Sequence, residues 1–217
     1  MAGLKVAVLI SGRGTNLQSL IEATSTPDFP AEITLVISNR AEAQGLGLAQ
    51  AAGIPTLVVP SKGRTREDFD ADLDQALRRV DVDLVCLAGF MRLLTPGFVD
   101  GWADRLINIH PSLLPAFKGA NAHAQAIASG VRISGCTVHF VRSDMDTGPI
   151  IVQAAVPVSA ADDEAALAAR VLAAEHRVYP MALRWIAEGR VSVDLDDRVT
   201  VAGLDGAQAR VLVNPAS

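Results

Sequence analysis

The sequence predicts an α/β fold of the doubly wound, Rossmann-like kind, with a mostly parallel sheet and an antiparallel C-terminal edge. Three observations carry that expectation. Continuous apolar runs rich in Val, Ile and Leu recur at residues 4–10, 33–37, 56–59 and 83–88, and a strand covered on both faces reads as such a run rather than as an alternation. Segments with helical spacing separate them at residues 16–23, 41–52 and 66–79, so the first part of the chain alternates β and α. The pattern then changes, because residues 133–141 and 150–158 are both strand-like and are joined by a short Asp/Gly loop, as an antiparallel edge requires.

The elements follow in order. The first strand ends in the glycine-rich turn Ser11-Gly12-Arg13-Gly14, which opens the first helix. A fifth strand, residues 106–110, follows the 96–105 segment. Pro111 then stops its hydrogen-bond ladder. The longest helix candidate, residues 163–187, opens on acidic residues that suit the positive end of the helix dipole and is rich in alanine, although Pro180 is expected to kink or divide it. Short Val-rich pieces at 191–193 and 199–201 suggest a small terminal hairpin. Neither an internal repeat nor a linker is evident, so the chain reads as a single domain.

Composition narrows the function. With 217 residues, half of them hydrophobic, the chain can bury a sizeable core. A formal charge of −5 and a pI near 5.3 argue against a nucleic-acid surface, since phosphate neutralisation needs a clustered basic excess. Pairs such as Arg78-Arg79 read instead as solvated helix ends. The apolar run at residues 6–10 is far too short to cross a bilayer and lacks a small-residue cleavage site, so no membrane partner and a cytoplasmic location are expected. Cys86 and Cys136 lie in apolar strand-like runs without CxxC or Cys/His spacing, which favours buried free thiols and no metal site.

Backbone N–H groups at the start of the first helix form an anion site, and phosphate is the natural ligand. A dinucleotide would need a third glycine where Leu17 stands, and the second strand ends in Ser38-Asn39-Arg40 without the acidic residue that holds a ribose. Arg40 leaves room for a 2′-phosphate and hence for NADP; a tight β–α turn without a ligand is the plainer alternative. At the other site, alternation along an extended strand puts Asn108 and His110 on one face and Ile107 and Ile109 on the other. Together they offer a fixed amide donor and an imidazole that donates or carries a proton to a developing oxyanion. Asp146, in Asp146-Thr147-Gly148-Pro149, would favour the charged imidazolium if it lay beside His110. The Asp-Thr-Gly triplet of aspartic proteases is set aside, because that chemistry needs two such carboxylates and only one triplet is present. His139 reads as a hydrogen-bonded core residue, His176 as a helix-surface residue, and His123 as a loop or helix-start residue able to line the cleft. Phe90-Met91-Arg92-Leu93-Leu94 follows the fourth strand and so falls at the ligand-binding edge.

Taken as an ordered set, Gly12-Arg13-Gly14-Thr15-Asn16-Leu17, Leu87-Ala88-Gly89-Phe90-Met91-Arg92, Asn108-Ile109-His110-Pro111-Ser112-Leu113-Leu114-Pro115 and Asp146-x-Gly148-Pro149 resemble the phosphoribosylglycinamide formyltransferase family of purine synthesis. The resemblance runs from Val6 to about Trp185. It implies that 10-formyltetrahydrofolate is the co-substrate, that no metal is needed, and that the acceptor is a phosphorylated ribonucleotide amine. Gly14, Thr15 and Asn16 match the loop for the ribonucleotide phosphate, and Glu175 matches a carboxylate near the substrate amine. Asn108, His110 and Asp146 match the catalytic residues. Arg66, Met91, Arg92, Leu93, Leu94 and Asn108 match folate-side positions, with Arg92 available to a glutamate carboxylate. The expected organisation is a phosphate-binding half at about 1–105, a catalytic and folate-binding half at about 106–190 and a small extension at 191–217, in a monomer or homodimer acting on small molecules. A loop around 141–146 is expected to close over the folate.

Two relatives and one different class compete with that reading. Ala116-Phe117-Lys118-Gly119-Ala120-Asn121 also resembles formyltetrahydrofolate deformylase, a hydrolase, but that family has a further N-terminal domain and lacks the phosphate loop. Methionyl-tRNA formyltransferase would need a basic tRNA-binding portion. A non-catalytic nucleotide-binding module is disfavoured by the joint presence of Asn108, His110 and Asp146.

Overall fold

Val6, Ala7, Val8, Leu9 and Ile10 are all wholly inaccessible to solvent, which is why the first strand carries no polar alternation. The computed structural model describes residues 3–204 and Asn214. Its elements are β1 (Leu4–Ile10), α1 (Thr15–Thr24), β2 (Ala31–Ser38), α2 (Gln44–Ala51), β3 (Thr56–Val58), α3 (Arg66–Arg79), β4 (Leu84–Leu87), α4 (Pro96–Gly101), β5 (Leu106–His110), α5 (Ala122–Ala128), β6 (Ile133–Phe140), β7 (Ile150–Pro157), α6 (Glu164–Ala187), β8 (Val191–Val193) and β9 (Val199–Val201). Seven strands form one sheet in the order β3-β2-β1-β4-β5-β6-β7, and β8 pairs with β9 in a separate hairpin. The pairs β1–β2, β1–β4, β2–β3 and β4–β5 are parallel, whereas β6–β7 is antiparallel. The expected architecture is therefore present. Winding reverses between β1 and β4, so the turns leaving those two strands flank the switch point where ligands of such sheets gather.

Two compact units make up the chain, residues 1–108 with 140–144 and residues 109–139 with 145–217. In the first, Leu9, Leu35, Ile37, Phe69, Leu73, Leu77 and Trp102 belong to one buried cluster. Its helix α3 starts where the Thr65 hydroxyl accepts the Asp68 N–H at 3.1 Å. Glu67 and Asp68 in the first turn and Arg78 and Arg79 in the last complement the dipole. In the second unit α6 packs on β7. Of the kink or division expected at Pro180, division does not occur: α6 runs on across it, with Leu167, Val171, Val178, Tyr179, Ala182 and Leu183 buried on both sides. Burial of that continuous face offsets the one lost backbone hydrogen bond. Among the described residues no helix is long and apolar enough to cross a membrane. The terminal hairpin is present at β8–β9, while residues 205–213 and 215–217 of the expected extension lie outside the described residues.

Candidate active site

The glycine-rich turn is built by close packing. Gly14 is the N-cap of α1 in a left-handed conformation (φ 79°), and a Cβ there would lie 2.7 Å from the Gly45 Cα. A Cβ on Gly45 would in turn meet Ile10 Cδ1 at 2.6 Å and the Gly14 Cα at 3.1 Å, and the Gly45 N–H donates to the Gly12 carbonyl at 3.1 Å. The starts of α1 and α2 thus touch backbone to backbone. With glycine at the cap, no side chain caps α1, and helix-start N–H groups without a side-chain cap are what an anion site uses. Thr15 is half-buried, and Asn16 is buried with its carbonyl accepting the Ser19 hydroxyl at 2.8 Å.

Beyond β4, the apolar side chains of Met91 and Leu93 are 72% and 55% exposed. Leu94 turns inward against the core cluster. The Arg92 guanidinium donates to the carbonyls of Ser61 (3.1 Å), Arg64 (3.2 Å) and Thr65 (2.9 Å) and lies 4.7 Å from the Phe69 ring centroid. Three of its N–H donors are thus engaged by main chain, while the buried Nε has no hydrogen-bond partner. Arg66, the first residue of α3, is exposed.

In the second unit, His110 is 5% exposed at the end of β5. Its Nε2 lies 2.9 Å from the Phe117 carbonyl; a carbonyl only accepts, so Nε2 carries the hydrogen. Nδ1 faces Asp146 Oδ2 at 3.4 Å. Asp146 is itself fixed: it sits at a left-handed φ of 53°, Oδ2 accepts the Gly119 N–H at 2.8 Å, and Oδ1 lies 3.9 Å from His139 Nε2. Asn108, two positions before His110 on the same strand, is half-buried. The segment after His110 is pinned by Thr137, whose hydroxyl donates to the Ser112 carbonyl (2.7 Å) and accepts the Leu114 N–H (3.0 Å). Gln153 Nε2 adds bonds to the Leu114 carbonyl and the Thr137 hydroxyl, both 2.9 Å. This network, the Phe117 carbonyl and the approach of His139 to Asp146 escaped sequence reasoning. A backbone acceptor has no residue signature, but Thr137 and His139 at alternate positions of a mostly apolar strand were a readable sign of a shared polar face.

His123, on α5, is half-buried, and burial first, then the His110 charge, lower its pKa against the opposing pull of Glu164. Glu175 is 6% exposed on α6. Burial, with the Glu175 charge, pushes the Cys136 thiol up to about 12. Both cysteines are free and buried. Iodoacetamide at pH 8 is therefore expected to modify neither thiol in the native protein and both in denaturant, as read by mass spectrometry; rapid native labelling of Cys136 would contradict that environment. Among the described residues no group of His, Cys, Asp or Glu is arranged to hold a metal.

The profile of the family described as formyl transferase matches residues 4–183. The chain is 44% identical to phosphoribosylglycinamide formyltransferase of Escherichia coli over 94% of both chains. It is 50% identical to the human trifunctional purine biosynthetic protein adenosine-3, of which it spans only 19%. Among solved structures, phosphoribosylglycinamide formyltransferase of Anaplasma phagocytophilum superposes with a TM-score of 0.88 at 51% identity, covering 94% of this chain and 96% of that one. A formyltetrahydrofolate deformylase of Pseudomonas syringae superposes with a TM-score of 0.86 at 31% identity, covering 92% of this chain and 66% of that one. The chain belongs to the formyl transferase family and, within it, sides with the phosphoribosylglycinamide formyltransferases.

Proposed function

We infer that this protein transfers a formyl group from 10-formyltetrahydrofolate to the amine of 5′-phosphoribosylglycinamide in purine synthesis. The observation that carries the reading is the His110 imidazole, held by the Phe117 carbonyl at Nε2 and by Asp146 at Nδ1, in a chain that also bears an uncapped glycine turn at α1. With Nε2 committed as a donor, Nδ1 is the position that gains and loses a proton. Its 3.4 Å separation from Asp146 Oδ2 is longer than a tight hydrogen bond, which leaves Nδ1 available to a departing nitrogen. Asp146 orients the imidazole, and the Asn108 amide is the fixed donor for the oxygen on which negative charge develops. The acceptor's phosphate belongs at Gly14, Thr15 and Asn16, and Glu175 suits a place beside its amine.

The folate supplies the formyl group. The exposed Met91 and Leu93 offer the apolar surface its ring system needs, and Arg66 is exposed for a carboxylate tail. Direct transfer between two held substrates needs neither a covalent enzyme intermediate nor a metal. Closure of the 141–146 loop would keep water from the formyl carbon. Two cysteines kept as free thiols suit the reducing cytoplasm. Incubation with 10-formyltetrahydrofolate and the ribonucleotide is expected to yield N-formylated ribonucleotide, detected by mass spectrometry. Absence of that product with both substrates saturating would overturn the reading.

A further inference from the structure

The residues that end four adjacent parallel strands are closed into one ring. The Met91 N–H donates to Ser11 Oγ at 2.7 Å, and Ser11 Oγ donates to Asn39 Oδ1 at 2.6 Å. Asn39 Nδ2 donates to Ser61 Oγ at 3.1 Å, the Ser61 carbonyl accepts Arg92 Nη1 at 3.1 Å, and the Met91–Arg92 peptide completes the circuit. A further bond runs from the Ser61 N–H to the Asn39 carbonyl at 3.3 Å. Ser11 directly follows β1, Asn39 directly follows β2, Ser61 lies shortly beyond β3 and Met91 shortly beyond β4. Ser11 and Asn39 are 4% and 5% exposed, so water cannot replace these bonds without opening the sheet end.

Ser11 is central because its single hydroxyl both donates and accepts, and because Gly12 begins the anion turn on its other side. The Met91 side chain is largely exposed, so packing does little to hold that residue and the N–H to Ser11 does correspondingly more. We propose that Ser11 is a positioning residue that joins the glycine-rich turn to the 90–94 segment, so that an anion in the turn steadies the folate side. In a ring of buried hydrogen bonds, order gained at one link is passed to the next. The assignment of the two ends to ribonucleotide and folate rests on the function proposed above; the coupling between them does not.

The test is amide hydrogen exchange of the whole protein at Met91, with inorganic phosphate as the probe. In the unsubstituted protein Met91 protection is expected to rise on adding phosphate. In Ser11→Ala it is expected to fall by about tenfold, as loss of a buried acceptor implies, and to ignore phosphate, while exchange at Leu35 in β2 stays unchanged. KM for the folate should rise by about tenfold with kcat within about threefold, and Ser11→Thr, which keeps the hydroxyl, should restore both readouts. A phosphate response that survives in Ser11→Ala, or its absence in the unsubstituted protein, overturns the proposal. Failure of formyl transfer in the unsubstituted protein would instead remove the functional reading and leave the exchange result standing.

Discussion

His110→Ala is expected to lower kcat by about a thousandfold, within the span of roughly 10² to 10⁴ that one positioned proton carrier supplies. Affinity for the ribonucleotide should stay within about threefold, because the function proposed above assigns its phosphate to main-chain groups at the start of α1 that do not involve the imidazole. His110 is 5% exposed, so truncation also leaves a small cavity. His110→Gln, which retains volume and one donor but cannot carry the proton, separates the two effects: it should recover stability and not turnover. Steady-state rates beside calorimetric titration of the ribonucleotide check both halves. Full turnover in either variant would remove His110 from the chemistry.

Gly14→Ala is expected to cost about 2–4 kcal/mol of stability, the sum of a left-handed alanine and a backbone collision. At φ 79° the new Cβ would stand 2.7 Å from the Gly45 Cα. Gly45 is itself tied to the turn, its N–H donating to the Gly12 carbonyl at 3.1 Å. For a chain of this size the midpoint of thermal unfolding should fall by about 10 °C, and inorganic phosphate should no longer raise it. Gly12→Ala is the control, since nothing lies within 4 Å of its added Cβ; a change below about 0.5 kcal/mol is expected. Equal melting of Gly14→Ala and the unsubstituted protein would show that the turn is not built as described.

The strands were legible because burial on both faces leaves an uninterrupted apolar run, and β1 and β5 fall within the residues expected for them. Helix α3 was legible to the residue. By contrast α2 begins at Gln44, after the expected Ala41, since Gly45 N–H is drawn to the Gly12 carbonyl, a contact that no local pattern announces. Helix α5 was barely readable: it is seven residues long with Asn121 as a left-handed N-cap, and Phe117 and Gly119 just before it also have positive φ. Of the candidate site, side chains whose type implies chemistry stood out, and His110 with Asp146 is brought together. What failed to show was everything done by main chain. The Phe117 carbonyl that sets the His110 tautomer and the three carbonyls that occupy Arg92 depend on where the fold puts a peptide group, not on which residue bears it.

Formyl transfer and formyl loss to water differ only in the nucleophile, and the glycine-rich turn is what would select a phosphorylated amine. The most direct measurement is the rate of folate release from 10-formyltetrahydrofolate with and without saturating ribonucleotide, with formylated product counted in the same samples. Release is expected to match product one for one and to drop by at least about a hundredfold without ribonucleotide. Release at a comparable rate without ribonucleotide would contradict it and make the protein a hydrolase.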